Sequence, residues 1–371
     1  MTAFPSAFSS ASDWAHVAKE LADGLAAVSN PGGGIGILYA TDMLADDLRS
    51  IVTYLRQTTG VDTWIGTLGF GVIHDATGAF DRPAAAAIVL ALGSSDIRLL
   101  PLSPIPDLLT EEIAQWAETV RPAAGIVHGD AAAPSVAEFV EKLSRRSGAF
   151  LVGGLTGSRT AQHQIAGEVG AGGVSGILLS PDVPVTVGLS QGCTPLGPVR
   201  RVTSANANVI AELDDRPALE VFKEDIGEML AHDLNRVAGY IHVAFPVAGS
   251  DTNDYMVRSL IAIDPEHGWL GVGSDVAAGD RIMFVRRDPA SAKTDLERML
   301  ADTKRRLPGP ARGALYVSCV ARGPHMFGDE NAEAEIVKAA LGDIPVIGFY
   351  AAGEISNDRL YGFTGVLMVF G

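Results

Sequence analysis

The stretch GALYVSCVARGPHMFGDENAEAEIVKAALGDIPVIGFYAAGEISNDRLYGFTGVLMVFG, residues 313–371, decides the fold. It starts with an apolar strand pattern, continues through a loop into an amphipathic helix pattern, and returns to a second apolar strand. A glycine-rich turn and a last apolar strand follow. Pieces of this kind form right-handed β-α-β crossovers with an added strand. The stretch therefore predicts an α/β structure.

The same order of elements occurs twice more, in residues 34–93 and in residues 125–180. Each of these stretches again has a strand, a helix with apolar residues at helical spacing, a strand that ends near glycine, and a final strand. Because the copies are interrupted by other sequence, we interpret them as an architectural repeat rather than a solenoid. We predict an α/β fold with two lobes built from repeated β-α-β-β units, with mixed sheets and flanking helices.

The chain can be divided into three parts from its patterns. Apolar residues between Trp14 and Val28 fall on one helical face, which predicts an N-terminal helix within residues 1–30. The 371 residues are too many for one ordinary hydrophobic core. A helical pattern begins near Pro217, and we place the boundary between the two lobes there, giving domains of residues 31–217 and 218–371.

The charge and the cysteine content exclude several classes of protein. With 44 acidic and 28 basic residues the formal net charge is −16, which disfavours binding to nucleic acids and to anionic membranes. The sequence contains no apolar run of the roughly 18 residues that a membrane-spanning helix needs. Two cysteines cannot form a disulfide framework. Since no secretory signal is visible, we expect a cytoplasmic protein without membrane insertion.

One motif suggests an enzyme. Residues 188–192 read Gly-Leu-Ser-Gln-Gly, which matches the G-x-S-x-G pattern of a hydrolase nucleophile elbow. An elbow needs a helix after the serine, whereas Pro195 and Pro198 follow here and disfavour an ordinary helix start. We therefore predict that Ser190 and Cys193 are not catalytic nucleophiles and that the protein is not an enzyme.

The usual sequence motifs for nucleotide and metal binding are also missing from the sequence. The glycine-rich segments are not placed between a strand and a helix, and no G-x-x-x-x-G-K-[ST] sequence occurs. The histidines are scattered, without H-x-x-x-H or C-x-x-C spacing, so we expect no metal site. We expect no cofactor, with haem left open as an alternative, because a haem iron needs only one axial His or Cys from the protein.

Four segments together resemble the FIST sensory-domain family. They are LVGGLTG, GLSQGCTPLGP followed by VTSANANVIAELDDRPALE, SCVARGPHMFG, and IPVIGFYAAGEIS with GFTGVLMVFG. The resemblance extends over roughly residues 30–371, through both the N-terminal and the C-terminal FIST domains. It implies a bacterial intracellular signal-transduction module that senses a small ligand, amino acids among the proposed ligands. Family members occur with histidine kinases, chemotaxis receptors and cyclic-dinucleotide enzymes, and some relatives bind haem and respond to nitric oxide.

The resemblance also selects candidate ligand-binding residues at the family's motif positions. These positions are Gln191, Cys193, Asn208, Arg216, Arg322, Gly353 and Glu354. An arginine, Arg216 or Arg322, would pair with a ligand carboxylate, and Glu354 would accept a hydrogen bond from an ammonium group. Because glycine turns lie at equivalent strand ends in the repeats, we expect these ends to converge on one ligand cleft between the lobes.

We therefore expect a non-enzymatic protein that binds an amino-acid-like ligand and signals to a separate partner. The expected partners are a histidine kinase, a chemotaxis receptor or another signalling protein. Three alternatives stay open at this point: a haem-based nitric oxide sensor, an enzyme that uses a Cys or Ser nucleophile, and an interaction scaffold without a ligand.

Overall fold

A computed structural model describes residues 2–26, 34–103, 111–231, 234, 237, 239–247 and 254–371. The chain forms two compact units: unit 1 is Met1–Gln191 with Asp295–Gly371, and unit 2 is Gly192–Thr294. The boundary predicted at residues 217 and 218 lies inside unit 2. The α/β fold class with mixed sheets and flanking helices is confirmed, and all three predicted repeats lie in unit 1.

The first repeat includes the predicted N-terminal helix, and positions 27–30 of that prediction lie outside the described residues. Its elements are β1 (Ser6–Ser9), α1 (Trp14–Leu25), β2 (Ile35–Thr41), a short 3₁₀ helix (Asp42–Leu44), α2 (Leu48–Thr59), β3 (Trp64–Gly69), β4 (Gly71–His74), β5 (Thr77–Phe80) and β6 (Ala85–Leu90). Asp13 caps α1, because its carboxylate accepts hydrogen bonds from the amides of Ala15 and His16.

The second repeat has the same order of elements. They are β7 (Ile97–Ser103), α3 (Glu111–Val120), β8 (Ala124–Gly129), α4 (Val136–Ser147), β9 (Phe150–Leu155), β10 (His163–Ala166), β11 (Glu168–Ala171) and β12 (Val174–Leu179). In both repeats the predicted glycine turn before the last strand is a two-stranded hairpin. Each repeat is also longer than predicted, since a strand and a helix precede the β-α-β part.

The third repeat is interrupted by unit 2 after its first strand, β13 (Val185–Gln191). The elements of unit 2 are β14 (Cys193–Pro195), β15 (Arg200–Asn206), β16 (Val209–Leu213), β17 (Arg216–Pro217), α5 (Ala218–Ile226), α6 (Glu228–Ala231), β18 (Ile241–Pro246), β19 (Tyr255–Asp264), β20 (Trp269–Val272) and β21 (Arg281–Arg287). The antiparallel order β21-β15-β16-β20-β19-β18 closes on itself, because β18 also pairs with β21. Unit 2 is thus a small β-barrel, and buried residues of α5 pack into its core.

After unit 2 the third repeat resumes. Its remaining elements are α7 (Pro289–Arg306), β22 (Gly313–Cys319), α8 (Gly323–Phe327), α9 (Ala332–Leu341), β23 (Val346–Ala351), β24 (Glu354–Ser356), β25 (Arg359–Tyr361) and β26 (Thr364–Phe370). The predicted crossover is present in all three repeats: β2 pairs parallel with β3, β8 with β9, and β22 with β23. In each repeat the last strand lies antiparallel beside the first strand of the crossover.

The repeats exchange their hairpins in a closed cycle. The hairpin strand β4 of the first repeat joins the sheet of the third at β23, β10 of the second joins the first at β3, and β24 of the third joins the second at β9. The result is three six-stranded sheets of equivalent order. Unit 1 therefore has approximate threefold symmetry, and every sheet contains strands from two repeats.

The turns at the carboxyl ends of the second crossover strands meet one another around this approximate axis. Equivalent backbone hydrogen bonds link them in the same cycle: Phe70 N–H to Tyr350 O at 3.0 Å, Gly157 N–H to Leu68 O at 2.9 Å, and Ala352 N–H to Leu155 O at 3.2 Å. The turns of the repeats therefore converge within unit 1, whereas the predicted ligand cleft between the lobes stays a prediction.

Apolar side chains fill the space between the three sheets. The central core takes residues from all three repeats, and a separate layer of helices packs on the outer face of each sheet. A polar pair lies within this core, where the Tyr39 hydroxyl and His128 Nε2 are 3.2 Å apart. Burial lowers the pKa of His128 to about 3, so this imidazole is neutral at physiological pH.

Candidate functional site

A buried ion pair lies just beyond the carboxyl end of β22. The chain leaves this strand after Cys319, and Arg322 turns back to place Nε 2.8 Å from Oε1 of Glu333, near the start of α9. Both side chains have no exposed surface. Isolated charges are too costly to bury, so these two residues depend on each other for their charged state.

The Glu333 carboxylate is fully used by the protein. Besides Arg322 it accepts hydrogen bonds from the hydroxyls of Tyr316 at 2.8 Å and Ser318 at 2.9 Å, and from the amide of Gly323 at 3.3 Å. Tyr316 and Ser318 point to the same face of β22 because side chains alternate along a strand. The four donors fix the carboxylate and the side of the guanidinium that faces it.

The two terminal nitrogens of the Arg322 guanidinium, unlike Nε, are not bound by Glu333. These nitrogens, Nη1 and Nη2, are buried and have no hydrogen-bond partner in the described part of the chain. The group lies over the ring of Phe327 at 5.4 Å. An unpaired buried donor is costly, and two terminal guanidinium nitrogens match the two oxygens of a carboxylate. Two such nitrogens can donate hydrogen bonds to an anionic group.

Tyr350 adds a second unpaired group beside this arginine. Its ring packs against Phe80 with centroids 4.3 Å apart and planes tilted by 41°, and its buried hydroxyl has no partner among the residues described. Burial and then the Glu333 carboxylate raise the pKa of Tyr350, so the hydroxyl keeps its proton and is available as a donor.

Glu354, at the start of β24, is the third such group. Its Oε2 accepts hydrogen bonds from the amide of Thr364 at 3.2 Å and from its hydroxyl at 2.7 Å, whereas Oε1 is buried without a partner within the described ranges. Burial raises the pKa of Glu354 to about 8, while hydrogen bonds from Thr364 and Cys319 and the charge of Arg322 oppose that rise. Glu354 is therefore largely protonated at neutral pH.

We call Arg322, Glu333, Tyr350 and Glu354 the buried cluster. It presents guanidinium donors, a phenol, and a carboxyl oxygen that can ionise, all shielded from water. Donors of this kind bind a carboxylate, and an ionised Glu354 would bind an ammonium group. The cluster lies at the carboxyl ends of the parallel strands β22 and β23, where ligands bind in open α/β sheets.

Four of the predicted site residues lie in unit 1. Arg322 and Glu354 belong to the buried cluster, and Gly353 adjoins it, with its carbonyl accepting the amide of Leu155 at 2.8 Å. Gln191 lies at the end of β13 directly opposite Thr364, the residue that binds Glu354. The structure therefore brings these four predicted positions to the same strand ends.

The other three predicted residues, Cys193, Asn208 and Arg216, lie in unit 2. The Cys193 carbonyl accepts the hydroxyl of Tyr255 at 2.6 Å, and the Asn208 side chain donates to the Val272 carbonyl at 3.1 Å. Arg216 is exposed and forms an ion pair with Glu224 at 2.7 Å. These contacts are internal to the barrel, and a ligand role for the three residues stays a prediction.

The G-x-S-x-G motif does not form a nucleophile elbow. Ser190 lies inside β13, and the chain continues into β14 rather than into a helix. Its Oγ is buried and without a hydrogen-bond partner among the described residues. A serine in an extended strand is not presented at a helix N-terminus, as the elbow mechanism requires.

The buried cluster contains no His or Cys that could serve as an axial ligand of a haem iron, and the haem alternative stays a prediction. Burial raises the pKa of the neighbouring Cys319 thiol, which lies beside Glu354. Over the residues that the structure describes, no group of three or more His, Cys, Asp or Glu side chains is arranged to hold a metal ion.

Sequence reasoning missed Glu333, Tyr350 and the hydroxyls that bind Glu333. One signal was present: Tyr316 and Ser318 alternate with apolar residues on a strand whose residues are all buried. Polar side chains on a buried strand need buried hydrogen-bond partners, and Glu333 in the first turn of α9 is a suitable one. The pairing itself depends on how α9 packs on the sheet.

Comparisons with known proteins agree with the resemblance. The FIST N domain matches residues 34–216 and the FIST C domain matches residues 218–357. Uncharacterized proteins of Mycobacterium tuberculosis (strain CDC 1551 / Oshkosh) are 35% and 34% identical to the chain over 211 residues. An uncharacterized protein of Mycobacterium bovis (strain ATCC BAA-935 / AF2122/97) is 34% identical over 211 residues. These matches cover 55% of this chain and 54–55% of the relatives, so the chain spans about half the length of the curated relatives it matches.

One further finding concerns membranes. None of the helices in the described ranges combines the length and the apolar character that crossing a bilayer requires.

Proposed function

The chain belongs to the FIST family, whose domains are associated with signal-transduction sensing, and we propose that it is a non-enzymatic sensor of a small amino-acid-like ligand. The observation that supports this proposal most strongly is the pair of unpartnered terminal nitrogens on the fully buried Arg322. A side chain whose other nitrogen is held by Glu333 at 2.8 Å is already oriented for a ligand.

In the proposed complex the ligand carboxylate binds Nη1 and Nη2 of Arg322 in bidentate fashion, and Tyr350 donates to the same group. The ligand ammonium binds Glu354 at Oε1, the oxygen that Thr364 leaves free. A zwitterion matches the cluster because it adds no net charge to a site shielded from water.

Protonation of Glu354 makes binding dependent on pH. Since burial raises the pKa of this carboxyl to about 8, an ammonium group can bind the ionised form only after the proton is released. Affinity for a zwitterion should therefore rise with pH up to about 8 and level off above it. A ligand without an ammonium group should not show this dependence.

The output is proposed to pass to a separate signalling protein, with a histidine kinase or a chemotaxis receptor as the candidates that the family implies. Within the cell this role suits a cytoplasmic protein. The proposed role is non-enzymatic, because Ser190 lies inside β13 rather than at a nucleophile elbow.

Thermal unfolding in the presence of single amino acids tests the proposal. At a hundredfold excess over its Kd a bound ligand should stabilise the wild type by roughly 2.7 kcal/mol. The same ligand should give a much smaller shift in Glu354→Gln, whereas Glu335→Gln, an exposed glutamate on α9, serves as the matched control. If no zwitterion shifts the wild type, the proposed function is wrong.

A further inference from the structure

We propose that residues 321–331, which include α8, form an access gate over the buried cluster and that the Arg82–Glu330 ion pair is its latch. This inference rests on the proposed function, because a gate matters only if a ligand enters. Arg322, Tyr350 and Glu354 have no exposed surface, so part of the protein must move before a small molecule can reach them.

The gate segment contains a single short helix. Helix α8 has five residues and is bounded by Gly323, with φ of 40°, and Gly328, with φ of 82°. Glycine adopts these positive φ values without the strain that other residues incur, so both ends can serve as hinges. Only Gly323 and Met326 of α8 are buried, and the segment carries Arg322 itself.

The hairpin β4–β5 of the first repeat holds the segment closed. Arg82, just after the hairpin, binds both oxygens of Glu330 at 2.9 and 3.0 Å, and the Gly78 amide donates to the Asn331 side chain at 3.0 Å. A Cβ on Gly78 would lie 2.0 Å from the Glu330 carbonyl, so the two backbones are in direct contact.

The latch is accessible to water, whereas the groups beneath it are buried. The side chains of Arg82 and Glu330 are 40% and 34% exposed. An ion pair at such a site is worth at most ~1 kcal/mol and can open in thermal fluctuations. Gly323 of the segment lies against the Tyr350 ring, because a Cβ built on Gly323 would be 3.1 Å from it, so movement of the segment away from the hairpin would expose this side of Tyr350.

Hydrogen exchange measured by mass spectrometry on the full chain tests the gate. The informative amides are those of Gly323, Met326 and Gly328, which bond to Glu333, Arg322 and Pro324. Loss of the latch in Arg82→Ala or Glu330→Gln should raise their exchange rates by up to about fivefold, the factor that ~1 kcal/mol represents. The exchanged pair Arg82→Glu with Glu330→Arg should return the rates toward those of the wild type.

A second measurement reports on the same opening. In a Cys193→Ser background Cys319 is the sole cysteine, and its thiol lies three residues before Arg322. Reaction with methyl methanethiosulfonate, followed by intact mass, should accelerate in the latch variants to a similar extent. Lys19→Ala, which breaks an exposed ion pair on α1, is the matched control and should change neither readout.

Unchanged exchange and unchanged labelling in both latch variants would overturn the gate, as would equal acceleration in the peptides of the second repeat. Neither readout uses a ligand. A zwitterion that stabilises the wild type, together with unchanged exchange, would therefore refute the gate and leave the proposed function standing. Faster exchange in the latch variants that is confined to residues 321–331 supports the gate, whichever amino acids bind to the protein.

Discussion

Replacement of Glu354 by glutamine should change how the stability of the protein depends on pH. Glutamine has the shape of the protonated acid and can still accept the hydrogen bonds of Thr364 through its carbonyl oxygen. It cannot ionise. The variant therefore removes the titration of one buried group while keeping its packing.

The magnitude follows from the raised pKa. In the unfolded chain Glu354 titrates near its ordinary value of 4.5, and in the folded protein burial raises its pKa to about 8. Between these values the folded state holds a proton that the unfolded state has released, so stability falls as pH rises, by up to ~1.4 kcal/mol per pH unit. From pH 5 to pH 8 the wild type should lose about 4 kcal/mol relative to Glu354→Gln.

Urea unfolding followed by circular dichroism at pH 5, 6, 7 and 8 measures this difference. The free energies of unfolding of wild type and Glu354→Gln should be closest at pH 5 and should diverge steadily, the variant being more stable at pH 8. Glu335→Gln should follow the wild type at every pH, because Glu335 is exposed. Parallel curves for the wild type and Glu354→Gln would refute the account of a buried, protonated carboxyl.

Two further substitutions test the cluster and the sheet that carries it. Glu333→Gln leaves the buried charge of Arg322 without a counter-ion and should lower the free energy of unfolding, measured in urea titrations, by about 3–5 kcal/mol. The control Glu335→Gln should lower it by less than ~0.5 kcal/mol. Equal losses in the two variants would contradict the buried ion pair. Gly153→Ala should lower the free energy of unfolding by more than ~3 kcal/mol, because at φ of 154° the new Cβ would lie 1.8 Å from a backbone oxygen of β8. The control Gly148→Ala has free space around the new Cβ and should lose about 1 kcal/mol. A loss at position 153 no larger than at position 148 would show that the sheet can adjust.

Much of the fold was predictable from the chain. The alternation of apolar strands with amphipathic helices indicates β-α-β crossovers because each element must bury one face, and the structure contains three such crossovers. The exchange of hairpins was not predictable in this way. β4 and β24 are short, and their partners β23 and β9 lie far away along the chain, so only the packing of the three repeats determines which sheet they join.

The candidate site, like the fold, was predictable only in part. Arg322 and Glu354 could be predicted, since charged residues next to glycine turns at strand ends are typical of ligand sites. Their surroundings could not. Whether Arg322 keeps two nitrogens for a ligand depends on the direction in which Glu333 approaches it, and that direction is set by the packing of α9 on β22 and β23.

Native mass spectrometry of the protein mixed with the proteinogenic amino acids, for wild type and Tyr350→Phe, tests most directly whether the buried cluster binds a zwitterion. Removing an unpaired buried hydroxyl should leave the unliganded protein as stable as before. The account predicts one amino-acid adduct on the wild type and an affinity roughly tenfold weaker in Tyr350→Phe, the loss expected for a hydrogen bond to a carboxylate. Absence of any adduct, or an adduct bound equally well by both proteins, would contradict it.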